Sequence, residues 1–326
     1  MIIDLENHMA VPEEVLPGKS KSGKLCERYW DENGKLRIRK YQDFSNVEKY
    51  VEFMDAAGID VAVLTPNLIT SLEQCKKWND FASNIVKQFP KRFVAFATVP
   101  ATGGKPALDE LVRAVKQLGM KGAHIWTQTG QYFLDSRELW YFYEKVAELK
   151  IPIDVHITES PAGLDILNTQ YGLYYVMARE VDMCVATLRL CLGGVLEDFP
   201  DLVFIMNHFG GGVSAVMERL DAYLDLVGPG WPSFYYKKPL ISRPWREYFN
   251  KLYFNMAGRE GGMAAVKCAL TTISPKKLMF ATDWPFNYDY NPQGVKQYAE
   301  EIRKLDLPQE DIEAMLWGNA ARLLGI

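Results

Sequence analysis

Three observations in the 326-residue sequence predict an α/β protein built as a (β/α)8 barrel of the TIM-barrel class. Short apolar, β-branched segments alternate with amphipathic helical stretches, and the alternation repeats eight times. No Gly-rich dinucleotide fingerprint follows the first segment, which argues against an open doubly wound sheet. The length suits one barrel of roughly 250 residues with insertions, so 1–326 is read as a single domain.

The expected strands are 2–8, 59–65, 92–99, 120–126, 151–157, 202–208, 251–256 and 277–283. Runs such as Val61-Ala62-Val63-Leu64 are apolar on both faces, as a parallel strand covered by helices requires. Between the strands, Val47, Tyr50, Val51 and Met54 share one helical face, and Gly58 stops that helix. Leu108, Leu111, Val112, Val115 and Leu118 repeat the pattern before Gly119. Leu139, Phe142, Tyr143 and Val146 do so again, with Pro152 opening the next strand. Two insertions absorb the surplus length. The first, 9–43, follows strand one and holds a small β-hairpin turning at Asn33-Gly34. The second, 228–250, precedes strand seven and is rich in Gly, Pro and aromatic residues.

Composition narrows the function classes. With 48% hydrophobic and 24% charged residues, the chain matches an ordinary globular protein, so disorder and coiled coil are excluded. A net charge of -4 gives no overall basic field for nucleic acid. No apolar run is long enough to span a bilayer, and the start, Met1 to Glu6, lacks a basic n-region. The five cysteines (Cys26, Cys75, Cys184, Cys191, Cys268) form no CxxC pair and fit reduced thiols. A cytoplasmic protein, engaging neither membrane nor nucleic acid, is the expectation.

Barrel active sites lie at the C-terminal ends of strands. Strand one ends Glu6-Asn7-His8, strand five at His156, strand six at His208 and strand eight at Asp283. Only four histidines occur in the chain, and three fall at these ends. Glu6 and His8, two apart on a strand, point the same way. Converging with His156 and Asp283, they would form an oxygen/nitrogen site for a divalent ion with room for substrate. The alternative is polar residues satisfied by hydrogen bonds within the barrel mouth.

These residues also carry a resemblance. The chain resembles the amidohydrolase superfamily, in the branch of aminocarboxymuconate-semialdehyde, γ-resorcylate and 5-carboxyvanillate decarboxylases. The matching pieces are Ile3-Asp4-Leu5-Glu6-Asn7-His8, Ile153-Asp154-Val155-His156, and Asn207-His208-Phe209-Gly210-Gly211 with Met217-Glu218-Arg219-Leu220-Asp221. Phe280-Ala281-Thr282-Asp283-Trp284-Pro285-Phe286 and Gly318-Asn319-Ala320-Ala321-Arg322-Leu323-Leu324 complete the set, which spans the chain in family order. The resemblance implies one ion held by Glu6, His8, His156 and Asp283, with His208 beside it. Binuclear members use a carboxylated lysine at the end of strand four, whereas Lys121 lies at that strand's opposite end. Glu-x-His on strand one resembles the aromatic-acid decarboxylases more than the hydrolytic members. Two positions depart from the pattern. Gly211 stands where resorcylate-type enzymes tend to carry Glu, and Tyr50-Val51-Glu52 stands where the muconate-semialdehyde enzyme has arginine.

The implied activity is metal-dependent, non-oxidative decarboxylation of a small aromatic or conjugated carboxylic acid, with Asp283 and His208 as the catalytic residues. The alternatives use the same parts for hydrolysis of an amide or lactone, or for hydration; a non-enzymatic binding role is the third reading. Zinc is the first choice of ion, with manganese or magnesium as alternatives, and no organic cofactor is expected. Trp126 shares a face of strand four with His124 and is a candidate pocket wall; His124 reads as a core residue or as support for the site. Phe286 matches a position that packs on the substrate ring in relatives. Arg219 matches one that reaches a neighbouring subunit's pocket; surface pairing with Asp221 or Glu218 is its plain alternative. Arg243 and Arg246 are further candidates for a carboxylate clamp. A homodimer or larger assembly is expected, with 231–245 as apolar interface area.

Overall fold

Apolar runs covered on both faces become strands, and eight of them close a barrel. The computed structural model describes residues 1–32, 36–67, 69, 71–158, 171–224 and 238–326. The strands are β1 (Ile3–Met9), β2 (Val61–Pro66), β3 (Phe93–Thr98), β4 (Gly122–Trp126), β5 (Ile153–His156), β6 (Phe204–Met206), β7 (Tyr253–Ala257) and β8 (Leu278–Ala281). They pair in parallel in sequence order. The seam between β8 and β1 is closed just past the end of β8, where Asp283 N donates to Glu6 O at 2.9 Å and His8 N to Trp284 O at 2.7 Å. The principal helices around the barrel are α1 (Val47–Ala57), α2 (Leu72–Gln88), α3 (Gly104–Lys116), α4 (Trp140–Leu149), α5 (Arg179–Leu192), α6 (Met217–Leu224), α7 (Gly258–Ala269) and α8 (Pro292–Arg303). As expected, Gly58 ends α1 in the left-handed region, at φ 78°.

The core has two compartments. Outward strand residues such as Leu64, Ala95, Ile125, Val155 and Phe254 pack with Trp78, Leu111 and Phe142 from the helices. Inside the barrel, Ile3, Leu5, Val63, Phe96, Ile205 and Met279 form a plug, capped by Ala320 and Leu324 of the last helix. The chemistry-bearing residues lie above this plug. The pairing of β1 with β2 shifts register between Asp4 and Asn7. This bulge lets consecutive side chains face inward: Leu5 joins the plug while Glu6 joins the polar layer above it.

All the strands but β1 are shorter than expected, β6 and β8 among the most. β6 stops at Met206 and β8 at Ala281 because His208 (φ 51°) and Asp283 (φ 53°) adopt left-handed backbone, which no strand accommodates. The hairpin strands, Cys26–Trp30 and Leu36–Lys40, pair antiparallel as expected; the Asn33-Gly34 turn lies outside the described residues. Of the second insertion, 238–250 is described. It contains a short helix, Trp245–Phe249, whose Trp245, Tyr248 and Phe249 are buried within the chain. Trp245 therefore contributes no interface area, contrary to the expectation from sequence. Among the described residues no helix is long and apolar enough to cross a membrane.

Candidate metal centre and active site

The bulge in β1 and the left-handed turns after β6 and β8 aim five side chains at one point above the plug. One ligand-capable atom each from Glu6, His156, His208 and Asp283 lies within 4.8 Å of all the others, and all four residues are buried. His156 Nε2 is 3.1 Å and His208 Nε2 3.5 Å from Glu6 Oε1. His8 Nε2 joins at the edge, 3.1 Å from Asp283 Oδ1 and 3.7 Å from Glu6 Oε1. The structure thus brings together every residue of the expected ligand set. It also draws His208 into the tightest group.

The outer hydrogen bonds fix how these groups face the centre. His8 Nδ1 donates to Pro66 O at 3.1 Å, and His156 Nδ1 to Ile157 O at 2.9 Å. His208 Nδ1 donates to Glu180 Oε1 at 3.1 Å. With Nδ1 committed on each ring, Nε2 is the atom left to face a cation. Glu6 Oε2 accepts from Asn255 Nδ2 at 2.6 Å, leaving Oε1 toward the centre. Glu6 Oε1, His8 Nε2 and His156 Nε2 are buried and complete no hydrogen bond. Buried polar atoms left so are costly unless something satisfies them, and a divalent ion meets that requirement for this mixed carboxylate–imidazole set.

Electrostatics point the same way. Burial alone would raise the Glu6 carboxyl, but the His208 charge and the close contacts of His156, His208 and His8 hold it well below its ordinary value. Burial opposes protonation of His8, yet its contacts with Asp283 and Glu6 win and raise it to about 9. Burial drives His156 down to about 3 despite Glu6. Two carboxylates, Glu6 and Asp283, thus favour positive charge beside them.

Beneath it, His124 Nδ1 and Asp154 Oδ2 lie 2.6 Å apart, both buried. Burial lowers His124 to about 3 and raises Asp154 well above its usual value, so the pair shares one proton as a neutral unit. His124 also meets Trp126 edge-on at 4.9 Å. It supports the site from the core, one of the two roles read from sequence.

A small cleft of about 80 Å³ opens over His8 and His156. Trp126 and Phe286 line it, as expected. Trp126 sits edge-on to His156 at 5.3 Å, and Phe286 is tilted against His8 at 5.5 Å. Arg219 is not among the lining residues; it is exposed on α6, stacked over Tyr223 at 4.9 Å. Arg246 is bidentate to Asp221 at 2.7 Å, and Arg243 pairs with Glu247, so neither lines the cleft of this chain. Sequence reasoning missed Arg28, Arg179, Tyr174 and Tyr175, which line the cleft, and Glu180 and Asn255, which orient His208 and Glu6. Asn255 had a signal, as a polar residue inside an apolar strand run; the others had none. Gly211 is explained by contact: a Cβ there would collide with the Glu180 carbonyl and the Cys184 amide of α5, and its φ is 68°. The carboxylate beside His208 comes instead from Glu180.

A (β/α)8 barrel with a buried Glu/His/Asp nest at its C-terminal mouth defines a metal-centred barrel of the amidohydrolase type. The family model described as Amidohydrolase matches residues 8–326, and the chain belongs to that family. It is similar to the γ-resorcylate decarboxylase of Polaromonas sp., 26% identical over 98% of this chain and 97% of that protein. It is 30% identical to the 2-keto-4-carboxy-3-hexenedioate hydratase of Sphingobium sp., over 75% of this chain and 69% of that one. Among solved structures, a dihydroxybenzoic acid decarboxylase from Polaromonas sp. with bound manganese and 2-nitroresorcinol superposes with TM-score 0.78. That protein is 25% identical, with 99% of this chain and 96% of that chain covered.

Proposed function

We propose that the protein is a divalent-metal-dependent, non-oxidative decarboxylase of a small aromatic or conjugated carboxylic acid. The observation that carries this is the nest of Glu6, His8, His156, His208 and Asp283 flooring a cleft walled by Trp126 and Phe286. Glu6, His8, His156 and Asp283 would hold the ion. His8 and His156 suit ligation because backbone carbonyls lock their rings. His208 would stand beside the ion, with its ring held by the part-exposed Glu180 carboxylate, an arrangement suited to handling protons at a substrate oxygen. Zinc suits the imidazoles and manganese the carboxylates; the manganese in the Polaromonas structure favours manganese.

A bound ion would supply Lewis-acid chelation of the substrate carboxylate and an adjacent oxygen. The chain's own residues do the rest. Trp126 and Phe286 hold the flat ring between them. Asp283, after taking up a proton from solvent, delivers it to the carbon that bears the carboxylate. The bond to the carboxylate then breaks, its electron pair returns to the ring, and CO2 leaves. In deuterated water the product must therefore carry deuterium at that carbon. Turnover of hydroxybenzoates and conjugated acids, followed by CO2 release and mass spectrometry, tests this; consumption of an ester or amide without CO2 would replace the reading with hydrolysis. The hydratase similarity supports a second reading, water addition to a conjugated acid, which the same assay detects as a product heavier by one water.

The working form is a dimer or larger. Val185, Leu188, Leu224 and Leu240 form an apolar groove along α5 and α6, with Val185 and Leu240 exposed. Arg219, exposed on α6, would in that assembly be the residue that enters a partner's cleft. Light scattering at micromolar concentration should give at least twice the chain mass; a monomer would remove that role for Arg219. Free cysteines throughout the chain suit a reducing cytoplasm.

A further inference from the structure

Beside and beneath the Glu/His/Asp nest, two neighbouring strands present a block of four inward side chains. In the parallel register of β4 and β5, His124 stands opposite Asp154, and one layer up Trp126 stands opposite His156. The lower pair is tied by His124 Nδ1 and Asp154 Oδ2 at 2.6 Å. The upper pair meets edge-on at 5.3 Å. His124 joins the two layers, its ring edge-on to Trp126 at 4.9 Å and tilted against His156 at 5.7 Å.

The two upper residues are not held alike. His156 has the backbone oxygen of Ile157 to fix its ring. Among the described residues the Trp126 side chain makes no hydrogen bond, so its setting depends on ring contacts, and it is the one of the pair that walls the cleft with its indole. Fold stability does not account for the lower pair. His124 Nε2 and Asp154 Oδ1 are buried and complete no hydrogen bond, a cost that apolar residues of similar volume would avoid. What a tied imidazole offers in that place is a fixed plane. We propose that His124 and Asp154 are positioning residues that act through Trp126, setting the indole at the angle that receives a flat substrate ring. The proposal rests on the reading of Trp126 as a wall for that ring. Neither His124 nor Asp154 lines the cleft, so both act at one remove from the substrate.

The test uses the metal-loaded full chain and two probes with the same carboxylate and neighbouring hydroxyl. One, 2-hydroxybenzoate, has a ring; the other, 2-hydroxypropanoate, has none. Calorimetry gives the ratio of their affinities, with metal analysis and a thermal melt for each variant. Wild type should prefer the ring. The double replacement His124→Leu, Asp154→Ala should cut that preference by about threefold to tenfold, the scale of one aromatic contact. Metal content, affinity for 2-hydroxypropanoate and Tm should all be retained. His124→Gln keeps a donor for Asp154 but takes the ring from the indole, and should give the same loss. Asp154→Asn keeps an acceptor for His124 and should preserve the preference. In a Trp126→Ala background the double replacement should have no further effect. A preference that survives both the double replacement and His124→Gln overturns the proposal, as does a loss that persists without the indole. An equal fall for both probes with metal lost also overturns it, since the pair would then act at the ion. A wild-type ratio near one would reject Trp126 as a ring wall, and the proposal with it.

Discussion

Asp4 offers a sharp test of how burial controls this site. Its carboxylate is fully buried below Glu6 and accepts from Thr282 N at 2.8 Å and Thr282 Oγ1 at 2.7 Å, tying β1 to the turn that carries Asp283. Burial raises it from 3.8 to about 7, with the hydrogen bonds from Thr282 and Glu6 only partly offsetting the shift. The folded pKa exceeds the unfolded one, so the folded state holds a proton that the unfolded chain has released. Its contribution is fully present below about pH 4 and is lost as pH rises through about 7. A shift of about 3 units corresponds to roughly 4 kcal/mol. Asp4→Asn keeps an acceptor for the Thr282 amide and turns a donor toward its hydroxyl, abolishing the titration. The stability of wild type minus that of Asp4→Asn should therefore fall by roughly 4 kcal/mol between about pH 4 and about pH 8.5. For 326 residues this is about 6 °C in relative Tm, at about 2.1 cal/mol/K of unfolding entropy per residue. Paired melts with a chelator present in both samples would read it without interference from ion affinity. A difference that stays constant across the range would refute burial as the dominant influence on Asp4.

Elemental analysis should find about one divalent ion per chain, and the double change Glu6→Gln, His156→Ala should abolish it; retained metal would reject the ligand assignment. Glu180→Gln should lower kcat by about tenfold while leaving metal content intact, because His208 keeps an acceptor but loses its charge. Steady-state kinetics alongside metal analysis would separate this from a change at the ion.

The barrel was legible because its strands are apolar on both faces and its helices carry one apolar stripe, patterns local to each segment. The convergence of candidate ligands was legible because a strand end is a fixed place in a barrel, and His8, His156 and His208 crowd there. What stayed hidden depends on long-range register or on backbone sign. Nothing local announces that His208 and Asp283 turn left-handed, so the strands were drawn too long. Glu180 meets His208 only because Gly211 lets α5 approach the turn after β6. Arg28 and Arg179 meet over Tyr175 only once the hairpin folds across the barrel mouth. Arg246 shows the converse: a plausible clamp by composition, it is committed to Asp221 by the packing of two helices.

The register shift between Asp4 and Asn7 bears on how this scaffold could be recombined. It acts as a half-step phase change between a lower stretch, whose odd-numbered side chains fill the plug, and an upper stretch, whose even-numbered ones join the polar layer above it. A crossover with another barrel placed below the shift would carry the chemistry along intact. One placed above it, joined to a partner strand without the extra residue, would rotate Glu6 and His8 out among the helices and leave Asn7 facing the centre. The tolerance of this barrel to strand exchange is thus set by where the seam falls relative to one irregular peptide, more than by the identity of the residues exchanged.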